Sequence, residues 1–258
     1  GHRRLKDGWA IAAKHGYRLG GSLHIMHDEG VWINFYQLRL MESVLRDIFE
    51  LCPHAWFMLV SNPVMAGVTY LSRKYPQANI AGFCHGFNGV YHVAHVLGLE
   101  REHIEYEMSG LNHFLWLTSF KYKGADAYPL LDAWVREKSA EYFERCGICD
   151  GMGPKAVDLY KRFGVFPIGD TGNPGGGAWP YWYHIDEETE RRWKEDPAKW
   201  YGWYFELGEK EVQRVREAAA SETQRATELI PPAHSGETMI PFIEAVHCNV
   251  PRVLYLNI

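Results

Sequence analysis

Apolar side chains recur every three or four residues between 34 and 52, at Phe35, Leu38, Met41, Leu45, Ile48 and Cys52. This spacing predicts an amphipathic helix, which Pro53 stops. The continuous apolar run Ala55-Trp56-Phe57-Met58-Leu59-Val60 then reads as a buried strand closed by the turn Ser61-Asn62-Pro63. A helical stretch over 65–74, a second strand over Ala78 to Phe83 and a helix near 88–98 complete a helix-strand-helix-strand-helix order. That alternation predicts a parallel sheet with crossover helices, whose ligands gather at the carboxyl ends of the strands, where Asn62 and Cys84 fall. After about residue 100 the pattern changes to paired strands, Ile104 to Ser109 and Phe114 to Tyr122, flanking Gly110-Leu111-Asn112-His113. Helices are predicted at 129–146, 154–163, 186–195, 208–228 and 237–246, and the closing run Val253 to Ile258 alternates like a strand. The fold class is therefore α/β plus α+β, with residues 1–100 and 101–258 as two domains.

Composition narrows the function classes. The 258 residues suffice for a sizeable core, and 47% apolar with 23% charged residues is ordinary globular usage. Ten Trp, fifteen Tyr and twelve Phe are an excess that suits stacking on a flat ligand such as a sugar. A net charge of −5 without a basic run disfavours nucleic acid. No run approaches the roughly 18 apolar residues of a membrane span, so a soluble protein is expected. Five cysteines, an odd number, point to a reducing compartment and hence to the cytoplasm. The sequence opens Gly1-His2-Arg3 and stops on an apolar run, which reads as a segment of a longer protein.

Several residues could carry chemistry. Cys84 and His113 each follow a strand at a glycine-containing turn, and a thiolate with an imidazole suits a divalent transition metal; equally, they could be two core residues that never meet. Cys146-Gly-Ile-Cys149 lacks the further ligands of a zinc site and reads as two helix-end cysteines. The pairs His24/His27 and His92/His95 have no carboxylate partner in view and read as packed or surface residues. Asp170, on a turn after Val165-Phe166-Pro167-Ile168, suits a general base, an orienting carboxylate or a turn Asp bonded to its own backbone. Gly175-Gly176-Gly177 has neither the Walker lysine nor a GxGxxG context, and no G-x-S-x-G occurs. The rings between Trp179 and Tyr183 could stack on sugar or pack at a contact, and Lys121, Lys123 or Arg162 could pair a uronate or be surface charges.

Taken in order, Ser61-Asn62-Pro63-Val64, Gly82-Phe83-Cys84-His85-Gly86, Gly110-Leu111-Asn112-His113, Pro167-Ile168-Gly169-Asp170-Thr171 and Ser235-Gly236-Glu237 with Ile240-Pro241-Phe242-Ile243 resemble glycoside hydrolase family 4. The resemblance runs over nearly the whole chain. It implies the end of a Rossmann-like sheet followed by an α+β domain like the C-terminal domain of lactate and malate dehydrogenases. It also implies an NAD-dependent hydrolysis of α-glycosides that departs from the two-carboxylate scheme. The sugar is oxidised at C3, a base removes the C2 proton, the aglycone leaves C1, water adds and the ketone is reduced again, while Mn²⁺ holds the C2 and C3 oxygens.

Carried over residue by residue, Cys84 and His113 correspond to the metal ligands, Asn62 to a substrate and nicotinamide contact, and Asn112 to a substrate contact. Asp170 falls in the region of the C2 base. His85 resembles the subgroup acting on unphosphorylated α-hexosides or α-hexuronides, where it would protonate the leaving group. Relatives of this kind are homo-oligomers, dimers or tetramers. The Gly-rich pyrophosphate turn of the family does not occur in this sequence. Two other readings stay open: a malate-type 2-hydroxy-acid dehydrogenase, which shares Ser-Asn-Pro-Val after a strand, and a non-catalytic sugar-binding remnant.

Overall fold

The structure, a computed structural model, describes residues 2–16, 28–148, 150–174, 180–233 and 235–258. His24, His27, Cys149, Gly175 to Gly177 and Trp179 lie outside them. Two helices open the chain, α1 (His2–Lys14), for which the sequence pattern gives no expectation, and α2 (Asp28–Leu51), which ends ahead of Pro53. Strands β1 (Phe57–Leu59) and β2 (Ile80–Gly82) pair in parallel through the crossover helix α3 (Val64–Lys74). Met41 and Leu45 of α2, Leu59, Val64, Val68, Leu71 and Ile80 form the core beneath them. Both strands are shorter than the apolar runs that contain them. The closing segment forms no strand: it pairs with β2 in a single bridge between Gly82 and Asn257, through two 2.9 Å backbone hydrogen bonds.

Helix α4 (Gly89–Val96) leads into an antiparallel sheet of β3 (Ile104–Leu111), β4 (Phe114–Tyr122) and β5 (Ala125–Asp126). Helices α5 (Tyr128–Glu137), α6 (Ser139–Phe143) and α7 (Pro154–Phe163) follow, and β6 (Phe166–Ile168) returns to pair with β4. The helix expected over 129–146 is thus two, divided at Lys138, whose backbone leaves the helical region (φ −126°, ψ −19°) while its N–H still caps α5. The second core lies between this sheet, α4, α5 and α7, with Val90, Val93, Leu117, Leu131, Met152, Ala156, Phe166 and Ile168 buried. Gly89 admits the close approach of α4 to β6, since a Cβ there would stand 2.9 Å from Ile168 Cγ2 and 3.0 Å from the Gly169 nitrogen.

The remaining helices are α8 (Pro180–Tyr183), α9 (Glu187–Trp193), α10 (Pro197–Ala220), α11 (Ala226–Leu229) and α12 (Met239–Cys248). Asp186 and Asp196 cap α9 and α10 by accepting the backbone N–H of Thr189 and Lys199 at 2.7 and 2.9 Å. The predicted 208–228 helix begins eleven residues sooner, at the Asp196 cap, and stops at Ala220. Its amphipathic pattern was masked at the start by the aromatic run Trp200 to Phe205, of which Tyr201 and Phe205 are buried.

Gly89→Ala is expected to lower stability by about 1–3 kcal/mol by forcing α4 from β6. Leu117→Ala, at a fully buried position, should cost about 2–5 kcal/mol. Denaturant titration of the full-length protein measures both.

Candidate functional site

Strand order explains why the chemistry converges. Cys84 follows β2 at its carboxyl end, and the two-residue turn Asn112-His113 joins β3 to β4 with Leu111 opposite Phe114. Pairing of Leu115 with Ile168 brings the turn Gly169–Thr171 alongside that hairpin tip. Thr171, fully buried, accepts the Leu115 N–H at 2.8 Å and locks the two together. His113 takes a left-handed backbone, φ 61°, which aims its ring between Cys84 and Asp170.

Cys84 Sγ lies 3.7 Å from His113 Nε2, and Asp170 Oδ2 lies 2.6 Å from His113 Nδ1. Two ligands of one tetrahedral first-row ion, an S at about 2.3 Å and an N at about 2.05 Å, stand about 3.6 Å apart, so this pair fits a shared cation. A carboxylate on the far nitrogen is the usual means of orienting a metal-binding imidazole. Burial opposes a charged His113, but the hydrogen bonds with Asp170 and Cys84 outweigh it and push the imidazole up to about 10. The pocket therefore favours positive charge at this point. Among the described residues no group of three or more His, Cys, Asp or Glu is placed to hold a metal ion.

The three side chains border a cavity of about 290 Å³ that α4 and the turn before it also line, with His85, Asn88, His92 and Asn173. A second cavity of about 540 Å³ shares Cys84 and contains Asn112, Ser109, Leu256 and Asn257. Asn62 is exposed after β1 and lines neither. His85 Nδ1 is 2.8 Å from Glu237 Oε1. Glu237 is brought there by Gly236, whose φ of 80° and lack of Cβ let the loop press on Asn88. The other Glu237 oxygen is buried with no hydrogen-bond partner among the described residues.

The structure corrects the reading of His92. It has a carboxylate: Nε2 lies 3.0 Å from Asp150 Oδ1, and Tyr142 donates to Asp150 Oδ2 at 2.6 Å. His95, three residues on, lines neither cavity. Burial pushes the Asp150 carboxyl up, but hydrogen bonds from His92, Tyr142 and the Met152 N–H hold it below its ordinary range. The spacing between residues 92 and 150 hides this pair from any sequence pattern. Equally hidden is Lys155, fully buried 3.2 Å from Glu195, which in turn lies 3.1 Å from His184. Burial pushes the Lys155 amine down, against the pull of Glu195 and of Asp170.

Other candidates resolve into packing. Cys146 follows α6, its thiol 3.4 Å from the Phe143 carbonyl. Trp182 stacks on Phe163, Tyr183 is buried with its hydroxyl donating to Asp158, and Arg162 pairs with Asp158 at 2.6 Å. Lys123 pairs with Glu100 at 2.6 Å. Neither they nor Lys121 line the 290 Å³ cavity.

Profiles of two parts of one family match nearly the whole chain: family 4 glycosyl hydrolase over residues 5–99 and its C-terminal domain over 108–258. The chain belongs to glycosyl hydrolase family 4. Among its relatives, the α-galactosidase of Bacillus subtilis is 31% identical over 42% of this chain and 25% of its own length. The α-glucosidase of Erwinia rhapontici is 33% identical over 42% and 24%, and an α-galacturonidase of Thermoanaerobacterium saccharolyticum 29% over 58% and 36%. A 6-phospho-α-glucosidase from gut microorganisms, solved with NAD and Mn²⁺, shares the fold with a TM-score of 0.55 and 20% identity, covering 81% of this chain and 47% of that one. The same activity solved with NAD and glucose 6-phosphate gives 0.57 and 16%, over 86% and 50%. The chain thus spans about half the length of these solved structures, and its alignments span a quarter to a third of the curated relatives. The α/β plus α+β architecture is that of the family 4 structures. Among the described residues no helix is long and apolar enough to cross a membrane.

Asp150 makes its stabilising contribution above the unfolded carboxyl value of about 4 and loses it as pH falls through its lower folded value. Asp150→Asn should therefore flatten the acid limb of the stability-against-pH curve, measured by thermal unfolding at stepped pH.

Proposed function

We propose that the full-length protein hydrolyses unphosphorylated α-glycosides with a divalent metal and NAD, and that this chain supplies its metal and acid-base groups. The observation that carries the proposal is the 3.7 Å approach of Cys84 Sγ to His113 Nε2 beside a cavity bordered by Asp170 and His85. Cys84 and His113 would hold the metal. When bound, such an ion supplies Lewis acidity to vicinal sugar oxygens. Asp170 holds His113 through Oδ2 and also faces the cavity, where it is the group to take the C2 proton. His85, gripped at Nδ1 by Glu237, presents Nε2 to the leaving-group oxygen and gives it a proton. Asn112, in the adjoining cavity that shares Cys84, is the proposed substrate contact on that side.

NAD supplies reversible hydride acceptance when bound. No Gly-rich pyrophosphate turn occurs in this sequence, and Asn62, exposed after β1, is the proposed nicotinamide-side contact. Support for the use of NAD comes from the gut 6-phospho-α-glucosidase, which was solved with NAD and Mn²⁺. We further propose a cytoplasmic homo-oligomer, for which the odd number of cysteines and the resemblance stand as support.

With NAD⁺, Mn²⁺ and a thiol reductant, the full-length protein should release nitrophenol from 4-nitrophenyl α-glycosides and bind Mn²⁺ stoichiometrically, and Cys84→Ser should lose both. Asp170→Asn separates two roles: loss of C2 hydrogen exchange with solvent while Mn²⁺ stays bound marks the base, whereas a roughly 10–100-fold loss of metal affinity marks orientation of His113 alone. Glu237→Gln should lower kcat by roughly tenfold or more on alkyl glycosides, whose leaving group needs a proton, and far less on 4-nitrophenyl glycosides. Equal losses on both substrates would remove Glu237 from the acid assembly.

A further inference from the structure

A buried cation is costly unless it is matched, and the surroundings of Lys155 match it twice. Lys155 is the second residue of α7 and keeps 1% of its surface exposed. This chain by itself buries it, so further length in the full-length protein adds to that burial. Its Nζ lies 5.8 Å from the ring centroid of buried Tyr183 and 3.2 Å from Glu195 Oε2, and the same oxygen is 3.1 Å from His184 Nε2. The end of α9 brings Glu195 there: Lys194 takes the left-handed conformation, φ 56°, and the Glu195 N–H returns to the Glu190 carbonyl at 2.8 Å, a Schellman closure. The fold itself thus fixes both charges.

The second match is Asp170. The first turn of α7 packs on the turn that carries it, since a Cβ on Gly172 would stand 3.0 Å from the Cβ of Ala156, the neighbour of Lys155. Burial pushes the Lys155 amine down, and Glu195 first, then Asp170, oppose it. Between buried groups such a pull is weakly screened. Lys155 is not among the residues that line the 290 Å³ cavity, so it bears on the site through Asp170 and not by touching a ligand.

We propose that Lys155, with Glu195 as its structural partner, is a positioning residue that holds the Asp170 carboxylate in place between His113 and the cavity. The inference rests on the glycosidase reading above. Asp170 is asked for two things at once, to keep Oδ2 on His113 and to face the cavity, and rotation about its Cβ–Cγ bond would lose both. A cation fixed nearby opposes that rotation before substrate arrives.

The test separates charge from packing in the full-length protein with NAD⁺, Mn²⁺ and reductant, on a 4-nitrophenyl α-glycoside. Lys155→Met leaves Glu195 buried without its cation and should lower both melting temperature and kcat. The double variant Lys155→Met/Glu195→Gln removes both charges, keeps the net charge of the cluster and should regain most of the lost stability. Its kcat should nonetheless stay roughly ten- to hundredfold below wild type with KM within about twofold, and exchange of the C2 hydrogen with solvent should fall in step. Independently of activity, Asp170→Asn should lower the melting temperature more in the wild type than in the double variant. A double variant that is unfolded or has wild-type kcat, or equal melting shifts on Asp170→Asn in the two backgrounds, assigns the cluster to the fold alone. Any of these overturns the inference and leaves the glycosidase reading intact. Failure of the wild type to turn over any α-glycoside overturns that reading, and the inference with it.

Discussion

The site depends on one strained residue. His113 occupies the left-handed region at the hairpin tip, where a residue other than glycine costs of order 1–3 kcal/mol. It is held there by Asp170 on one ring nitrogen and by Cys84 near the other. Those partners are placed by the two sheets: Cys84 by the parallel pair and Asp170 by the antiparallel ladder between β4 and β6. The ladder alone would leave the turn after β6 free to swing, and Thr171 prevents this by accepting the Leu115 N–H across the gap. The approach of Cys84 to His113 is thus an outcome of strand register, and a slip of one residue would turn the Leu115 side of β4 to the opposite face.

Electrostatics organise the rest of the cavity. Three imidazoles border it, and each is bonded to a carboxylate from a distant part of the chain: His113 to Asp170, His85 to Glu237 and His92 to Asp150. In a partly buried cavity of lowered dielectric, such pairing prevents unmatched charge from accumulating and fixes each ring's orientation. The arrangement divides labour between the pairs. The first leaves Nε2 facing a thiol, the second meets the loop before α12, and the third stands on α4. A buried ionic cluster of Lys155, Glu195 and His184 lies farther back, and Lys155 is close enough to Asp170 to feel its charge.

Much of the architecture is written in local pattern. The helix over Pro154–Phe163 follows from its own apolar spacing and ends at Gly164 in the left-handed conformation, as a glycine C-cap should. The β3–β4 hairpin follows from two apolar runs around Gly110 to His113. Cys84, His85, Asn112, His113 and Asp170 stand out because each sits on a turn after a strand, where side chains are held rigidly yet reach a ligand. Boundaries were less legible where burial is set by distant neighbours, as in the aromatic first half of α10.

From the sequence alone come the order of elements, the α/β plus α+β class and the turn residues able to do chemistry, because periodicity and turn propensity act over a few residues. Tertiary structure alone decided which of those residues meet. Cys84 and His113, equally able to bind one ion or never touch, come within 3.7 Å only because the turn after β2 and the β3–β4 hairpin tip, which belong to two separate sheets, are brought together. His92 gained a carboxylate from 58 positions away and His85 one from 152 away, separations over which no local preference operates. Chain folding joins such groups through strand register and helix packing, whose energies belong to the whole core and leave no mark in any short stretch of sequence.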